Sequence, residues 1–579
     1  MKKTLTENQL QKLAENFYDD VEDSEPLQET DCDLSDAESK HSDHLTDSEV
    51  EGEDNDEQMD IDNDDLPSYV YGRNRYKWGK TPPGPSKTRK SNIVLHLPGI
   101  KGPALNASPK TPLEAWSLLF TDDILEEILE HTNAKISDLS VSYGSTASYV
   151  GHLDMIEFKA FLGLQILAGV FKSNHEDAIS LFSTDGTGRN IFRGSMSKDR
   201  FLFLLAALRF DDQTSRRERI QNGDKLAAIS NIYNIFNSNC QANYTCSEYS
   251  VVDEMLVGFR GRCSFRQYLK SKPKKYGIKI MCLCDAKTHY LLNSFIYAGK
   301  TTEPNPNKLS VPTLSVLKLV SPITNTNRNV TGDNWFTSIQ LISELKSVGL
   351  TYVGTMRKNK REVPKQFLPN RTREEKSSLF GFTHDETIVS FVPKKNRCVL
   401  LVSSMHHSQL IEENGKPEII NFYNDTKGGV DALDQRCATY SCQRRTRRWP
   451  MAIFGAILDI SRVNSYILFL SASEETVKIS RRKFSVALGR DLIVDHMKRR
   501  FQIRELSLDL KTVIGNFLGY NPAEDREPVE AGPIRKYRRC YICPREMDRK
   551  SKTCCNICSR NICKIHSRNI VECQTCSQR

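Results

Sequence analysis

Apolar residues recur along this chain with two periods, and the change from one to the other falls near Tyr249. After Thr121 and Asp122, Ile124, Leu125, Ile128 and Leu129 lie at helical spacing, one apolar face behind a favourable N-terminal pair. A longer, mostly apolar helix is expected over Leu153–Phe171 and another over Phe201–Leu208. Beyond Tyr249 the apolar runs become short, β-branched and separated by turn residues. Ser250–Val257, Ile278–Cys284 and Tyr290–Tyr297 predict three consecutive strands. A helix around Pro312–Leu319, a short strand ending at Asp333, a helix over Phe336–Ser347 and a strand at Leu350–Thr355 follow. Strands in succession, then alternating with helices, predict an α/β plan on a mixed sheet. From about Asn359 to Glu418 the pattern loosens, with strand-like runs at Thr387–Val392 and Cys398–Ser403, and we read this stretch as an insertion. Met451–Leu470 predicts a long helix; Asp459, Arg462 and Asn464 inside it argue against a membrane span, which needs about 20 apolar residues.

Length and charge turn these elements into a domain plan. A chain of 579 residues exceeds what one hydrophobic core usually serves, so about two to four domains are expected. Between Glu15 and Asp65 there are 23 Asp and Glu against the single Lys40, and such a composition cannot bury enough apolar surface to order itself. Residues 1–66 are therefore expected as an acidic disordered tail. The overall charge of +8 then leaves +28 on the chain from Leu66 onward. A body this basic points to a polyanionic partner such as nucleic acid, although solubility alone would use the same charge. Residues 67–93, which include the basic, proline-containing Gly72–Lys90, are expected as a linker able to lie along DNA. The remaining plan is a helical region at 94–249, an α/β region at 250–446 with its insertion at about 359–418, and a second helical region at 447–530. The first residues have lysines but no apolar core, so no secretory signal is expected; the protein reads as soluble and intracellular, with no membrane partner.

Three separated aspartates stand out against their surroundings. Asp253 lies inside an otherwise apolar strand, flanked by Val251, Val252, Met255 and Val257. A carboxylate there is costly unless it is paired or binds metal. Asp333 ends a strand in TGDNWF, the place where α/β sheets bind ligands. Asp431 and Asp434 are three residues apart and share a helix face, and Gly428 and Gly429 just before them permit close backbone approach. Hard divalent cations such as Mg²⁺ take oxygen ligands, and two of them about 3.5–4 Å apart can serve both the attacking and the leaving oxygen in phosphoryl transfer. Taken singly, each aspartate also suits a structural role, and periodicity alone does not bring them together.

Charged and sulfur-rich segments complete the inventory. Arg444, Arg445, Arg447 and Arg448 precede Trp449 directly after the last aspartates, suited to phosphate contacts and to stacking on bases; a solvated turn with Trp449 buried is the plainer reading. Lys274 and Lys275 within Lys270–Lys275, and Arg357–Arg361, are further basic candidates. Of the 17 cysteines, eight follow Arg539. Their spacing, C-x2-C-x11-C-x2-C-x4-C-x2-H-x6-C-x2-C, supplies eight ligands in short pairs for two tetrahedral zinc ions. An interleaved arrangement assigns Cys540, Cys543, Cys563 and His566 to one ion and Cys555, Cys558, Cys573 and Cys576 to the other, within a zinc domain at 536–579. So small a segment must take most of its folding energy from metal. The other cysteines read as small buried hydrophobes.

The blocks VVDEMLVGFRGR, TGDNWFTSIQL and YNDTKGGVDALDQ…CQRRTRRWP, with the entry LFTDDILEEIL, strongly resemble piggyBac-type DNA transposases, in the right order from about Thr111 to Arg579. The resemblance implies a multidomain α/β fold. Its RNase H-like catalytic core carries an insertion and is wrapped by a discontinuous all-α dimerisation and DNA-binding domain, followed by a C-terminal cross-brace zinc domain. It places the catalytic aspartates at Asp253, Asp333 and Asp431, with Asp434 in support, around two Mg²⁺ ions. It implies cut-and-paste transposition: strand nicking, hairpin formation and joining to TTAA targets. The partners would be double-stranded DNA (transposon ends and target) and a second or further copy of the chain, in the nucleus. Two other readings stand beside it. One is a host-domesticated DNA- or chromatin-binding derivative without catalysis. The other is a zinc-based interaction module of RING or PHD type; the histidine, sixth of the eight ligands here, is usually fourth or fifth in those.

Overall fold

Eleven short and medium strands, drawn from widely separated stretches of chain, join in one mixed sheet. The computed structural model describes residues 68–84, 89–143, 148–270, 272–299, 308–473, 479–520, 537–555 and 558–568. The acidic tail expected at 1–66 lies outside them, as do Cys573 and Cys576. The described chain divides into two compact units. One runs up to Leu181 and from Ser197 to Ile493; the other comprises Phe182–Met196 and the chain from Val494 onward.

In chain order the strands of the large sheet are β1 (Tyr69–Tyr71), β2 (Lys77–Gly79), β3 (Tyr249–Gly258), β4 (Gln267–Tyr268), β5 (Tyr276–Asp285), β6 (Leu291–Ile296), β7 (Asn329–Gly332), β8 (Thr351–Thr355), β9 (Ser378–Phe382), β10 (Thr387–Phe391) and β11 (Val399–Ser403). Across the sheet they lie in the order β1-β2-β9-β10-β11-β8-β7-β3-β5-β4, with β6 also paired to β5. β3, β5 and β6 are antiparallel neighbours, whereas β3, β7 and β8 run parallel. The parallel centre is covered on both faces, which is why β3 reads as a nearly continuous apolar run: Val251, Val252, Met255, Leu256 and Val257 are all buried.

The helices of the first unit include α1 (Asp122–Tyr143), α2 (Met155–Val170), α3 (Lys198–Ala207), α4 (Ser230–Asn243), α5 (Val311–Val320), α6 (Ile339–Ser347), α7 (Glu418–Thr426), α8 (Gly429–Thr439) and α9 (Trp449–Ala472). Their starts follow side-chain chemistry. Asp154, Ser197, Ser310 and Ser338 each accept a hydrogen bond from a backbone N–H of the first turn, satisfying donors that the helix itself leaves unpaired. α9 is long and apolar enough to cross a membrane by length and composition, but it is a core helix, 89% buried over its most apolar window. Its polar residues explain the difference. Asp459 accepts from Ser441 Oγ and from the Cys442 N–H, each at 2.8 Å, and Arg462 lies 3.8 Å from it.

One expectation changes. Residues 69–79, read as part of a basic linker, form the β1–β2 hairpin, and β2 joins the edge of β9 at Phe382 and Gly79. Trp78 is fully buried and donates its indole N–H to the Glu362 carbonyl at 2.8 Å. Three-residue strands are too short to show a period, and Val70 and Trp78 are the hairpin's buried apolar side chains, so the sequence pattern had nothing to register. The stretch expected as an insertion, about 359–418, extends the large sheet. It supplies β9, β10 and β11, and β11 pairs antiparallel with β8, so the central sheet simply continues outward. β9 escaped the sequence reading because Leu379 is exposed and Gly381 interrupts the alternation. α7 seals this extension by setting Ile419, Ile420 and Tyr423 against Val353, Val389, Phe391 and Leu401.

The burial of Trp78 makes the hairpin a structural part of the insertion. Trp78→Ala is expected to cost about 3 kcal/mol or more, as large-to-small core changes at aromatics do. It should also expose residues 68–84 to protease before the rest of the chain. Unchanged thermal stability and an unchanged digestion pattern would contradict this assignment.

Candidate metal centre

The parallel pairing of β3 and β7 decides the geometry of the centre. Val252 is opposite Gly332 in register, so Asp253 and Asp333 follow side by side at the C-terminal end of β7, on strands about 4.8 Å apart. Alternation along β3 places Asp253 on the same face as Val251, and that face meets α8. The approach is close because Gly429 has no side chain: a Cβ there would overlap Val251 Cγ1 and lie 3.3 Å from the Asp285 carbonyl. Gly428, expected to share this duty, faces open space. α8 then presents Asp431 in its first turn and Asp434 one turn later, both on the side of Asp253. All four aspartates expected from the sequence are therefore brought to one place.

Each carboxylate is held differently. One oxygen of Asp253 accepts the Glu254 N–H at 2.8 Å, and one oxygen of Asp333 accepts the Trp335 N–H at 2.9 Å, an Asx turn that fixes the strand end. Asp431 is exposed and lies 3.3 Å from Lys272 Nζ. Burial, followed by the charges of Glu254, Asp333 and Asp431, pushes the Asp253 carboxyl well above the usual carboxylate range, against the opposing pull of Lys272. Burial also raises Asp333 and Asp434. Carboxylates are in excess over cations: Lys279 pairs with Glu254 at 3.4 Å, rests over the Trp335 ring and opposes the rise of Asp333, while Lys272 and Lys274 oppose that of Asp434. An all-oxygen donor set with surplus negative charge suits a hard divalent cation. Asp253, Asp333, Asp431 and Asp434 would hold it.

Sequence reasoning did not find Glu254, Lys272, Lys279 or Trp335 around this centre. Glu254 and Trp335 sit one and two residues from the aspartates, a signal that was available. The two lysines reach the centre from the hairpin beyond β3, which no local pattern shows. The face beneath the carboxylates is lined by Cys282, Cys284 and Cys437, all buried, with thiols raised by burial. They are the small apolar fillers expected of the scattered cysteines.

The arginine-rich segment departs from expectation. Arg444 donates to the carbonyls of Ser173 and Glu176. Arg448 donates to those of Leu205, Ala206 and Leu208, closing the C-terminus of α3 where carbonyls lack partners. Burial, with Arg209 and Arg216 nearby, lowers Arg448 to about 9. These two expected phosphate contacts are thus committed to backbone. Trp449 is half-buried with its ring 5.1 Å from Phe265, edge to face. Arg445, Lys274 and Lys275 are exposed, and Arg447 is half-buried.

The second unit carries a sulfur-rich group. Cys540, Cys543, Cys563 and His566 have ligand atoms all within 4.8 Å of one another, and three of these residues are buried. His566 Nδ1 lies 3.6, 3.5 and 3.5 Å from the sulfurs of Cys540, Cys543 and Cys563, and the last two sulfurs are 3.7 Å apart. Tetrahedral ligands at zinc distances stand about 3.4–3.8 Å apart, so this set fits. The pairing expected for the first ion is the one the fold assembles. The second set retains Cys555 and Cys558 among the described residues, while its partners Cys573 and Cys576 lie outside them.

Residues 111–466 match the family described as Transposase IS4. A cryo-EM structure of a piggyBac transposase synaptic complex with hairpin DNA resembles the chain with a TM-score of 0.74 and 36% identity, covering 83% of this chain and 100% of that one. PiggyBac transposable element-derived protein 3 of Homo sapiens is 24% identical over 385 residues, 64% of this chain and 63% of that protein. PiggyBac transposable element-derived protein 2, also of Homo sapiens, is 21% identical over 382 residues, 63% and 62% of the respective lengths. The chain thus spans less than two thirds of the length of these curated relatives.

Two outcomes follow from the centres. Because Asp253 and Asp333 hold protons more tightly folded than unfolded, metal-free stability should fall as pH rises from the ordinary carboxylate range through their raised values. Protons and divalent cations compete for these oxygens, so Mn²⁺ affinity measured by calorimetry should be weaker at about pH 5.5 than at about pH 8; equal affinities would count against the aspartate site. At the other centre, zinc-type ligation contributes on the order of 10 kcal/mol to small modules. A chelator should therefore make residues 537–568 of the full chain protease-sensitive, and Zn²⁺ should restore protection. Cleavage indifferent to chelation would remove the tetrahedral site.

Proposed function

The chain belongs to the piggyBac-type transposases of the Transposase IS4 family, and from that premise we propose that it is a metal-dependent DNA transposase of the cut-and-paste type. The observation that carries the proposal is the meeting of Asp253, Asp333, Asp431 and Asp434 at the end of the parallel strands. A host-retained derivative has no physical need to keep this many carboxylates crowded together.

On this reading β3, β5, β6, β7 and β8 form an RNase H-like core, and Asp253, Asp333 and Asp431, supported by Asp434, would hold two Mg²⁺ ions. When bound, such ions supply activation of the attacking oxygen and stabilisation of the leaving one. The chain's own residues orient and neutralise. The strand positions of Asp253 and Asp333 fix the angle between their carboxylates, and α8 delivers the other two from the opposite side. Arg445, Arg447, Lys274 and Lys275 contact DNA phosphates, with Trp449 beside them. Water hydrolyses one strand at each transposon end, and the released 3′-OH attacks the opposite strand to close a hairpin. The hairpin is reopened, and the 3′-OH joins a TTAA target. Each joining is a transesterification that exchanges one phosphodiester for another, so no nucleotide cofactor is consumed. The C-terminal module holds structural zinc and binds transposon-end DNA, and the protein works in the nucleus as a dimer or higher oligomer.

Excision in cells is the direct test, with a reporter bounded by the inverted repeats that flank this gene. The expected outcome is precise TTAA repair at the donor site. Asp333→Asn should abolish it, with cleavage reduced by at least about a thousandfold while DNA binding by the purified protein persists. Binding to the ends without any excision by the unaltered chain would replace this proposal with that of a DNA-binding derivative.

A further inference from the structure

Lys272 is placed as no surface lysine needs to be. It belongs to the turn between β4 and β5, where Leu269 N–H donates to the Lys275 carbonyl at 2.8 Å and Lys272 N–H to the Leu269 carbonyl at 3.3 Å. Its neighbours Lys270, Pro273, Lys274 and Lys275 are exposed, yet the Lys272 side chain is only 19% exposed. Its ammonium donates to the Glu254 carbonyl at 3.2 Å and to Asp431 Oδ1 at 3.3 Å, within the field of Asp253, Glu254 and Asp434. Lys279 pairs with Glu254 and its charge bears on Asp333, and the charge of Lys274 bears on Asp434, whereas Lys272 donates directly to Asp431.

We infer that Lys272 is a built-in counter-ion of the carboxylate centre, whose ammonium occupies the place of a divalent cation and must yield to it when metal binds. The inference rests on the metal-centre reading above. A single positive charge on a long flexible stem can neutralise Asp431 and steady it against Asp253 and Asp434, but it satisfies few carboxylate oxygens at once. A divalent cation satisfies several and carries twice the charge. Lys272 is therefore a positioning residue: it keeps mutually repelling carboxylates gathered while the site is unloaded. Once displaced, its ammonium stands at the rim of the centre, where a DNA phosphate would be its natural partner.

The consequence is a pair of opposed effects that a merely structural or DNA-contacting lysine would not produce. In the full-length protein, Lys272→Gln should bind Mn²⁺ about tenfold more tightly by calorimetry. It should also have a lower melting temperature than the wild type in chelator, a gap that Mn²⁺ closes. Lys272→Arg, which keeps the charge, should stay near wild-type affinity. So should Lys270→Gln, which removes the same charge from the same turn without touching Asp431. Wild-type Mn²⁺ uptake that is lost in Asp333→Asn but unchanged or weakened in Lys272→Gln would overturn this inference alone. An equal gain in Lys270→Gln would overturn it too, by reducing the effect to net charge. Wild-type uptake indifferent to Asp333→Asn would remove the metal-centre reading and the inference with it.

Discussion

Carboxylates gathered at one point repel one another, and burial makes each harder to ionise; the first unit is organised around holding them there. Two come from adjacent parallel strands, where register leaves no freedom in their separation. Two come from a helix that can approach the sheet only because position 429 has no side chain. Across the centre, a turn from the neighbouring hairpin brings in a lysine. Remove the parallel pairing of β3 and β7, or the close seat of α8, and the aspartates become unrelated surface acids.

The connection leaving α8 shows the same economy of fixed points. Asp459, fully buried in α9, accepts hydrogen bonds from Ser441 and Cys442 and so ties the chain just after α8 to the core helix. Arg444 and Arg448 continue the tie into the helical layer by donating to carbonyls near the ends of α2 and α3. A run of four arginines looks like a polyanion contact, but guanidinium forks serve exposed helix ends equally well. Half of the run builds the scaffold, while Arg445 stays exposed.

The two ligand groups divide by chemistry and by the size of what supports them. The oxygen site sits on a large sheet that folds through its own apolar burial, so its ligands can be held apart at a cost in repulsion and filled by a weakly held hard cation. The sulfur site sits in a segment whose buried cluster, among the described residues, is Cys540, Cys543 and Cys563 themselves. There the ligand atoms are already at tetrahedral separations, and coordination would take over the task that hydrophobic burial performs elsewhere. One chain thus carries a centre suited to reaction and a centre suited to folding.

The long elements were legible from the sequence: the α2 and α9 helices, the three successive strands, and the strand–helix–strand run through Asp333. Apolar period is a local property, and these segments are long enough to display it. The identity of the four aspartates and of the first zinc-type quartet was legible for a related reason, since each stands in a distinctive local block. The sequence could not show the β1–β2 hairpin, whose strands are shorter than one full alternation, nor that the inserted strands prolong the central sheet. It also could not distinguish arginines that close helices from an arginine that stays exposed, nor single out Lys272, 159 residues from the aspartate it meets. A charged side chain does not encode its partner; that choice is made when strand register and helix seating bring distant groups within reach. The sequence by itself therefore determined which groups this protein has to work with, and only the tertiary structure decided which of them face one another, because electrostatic pairing depends on distance in space.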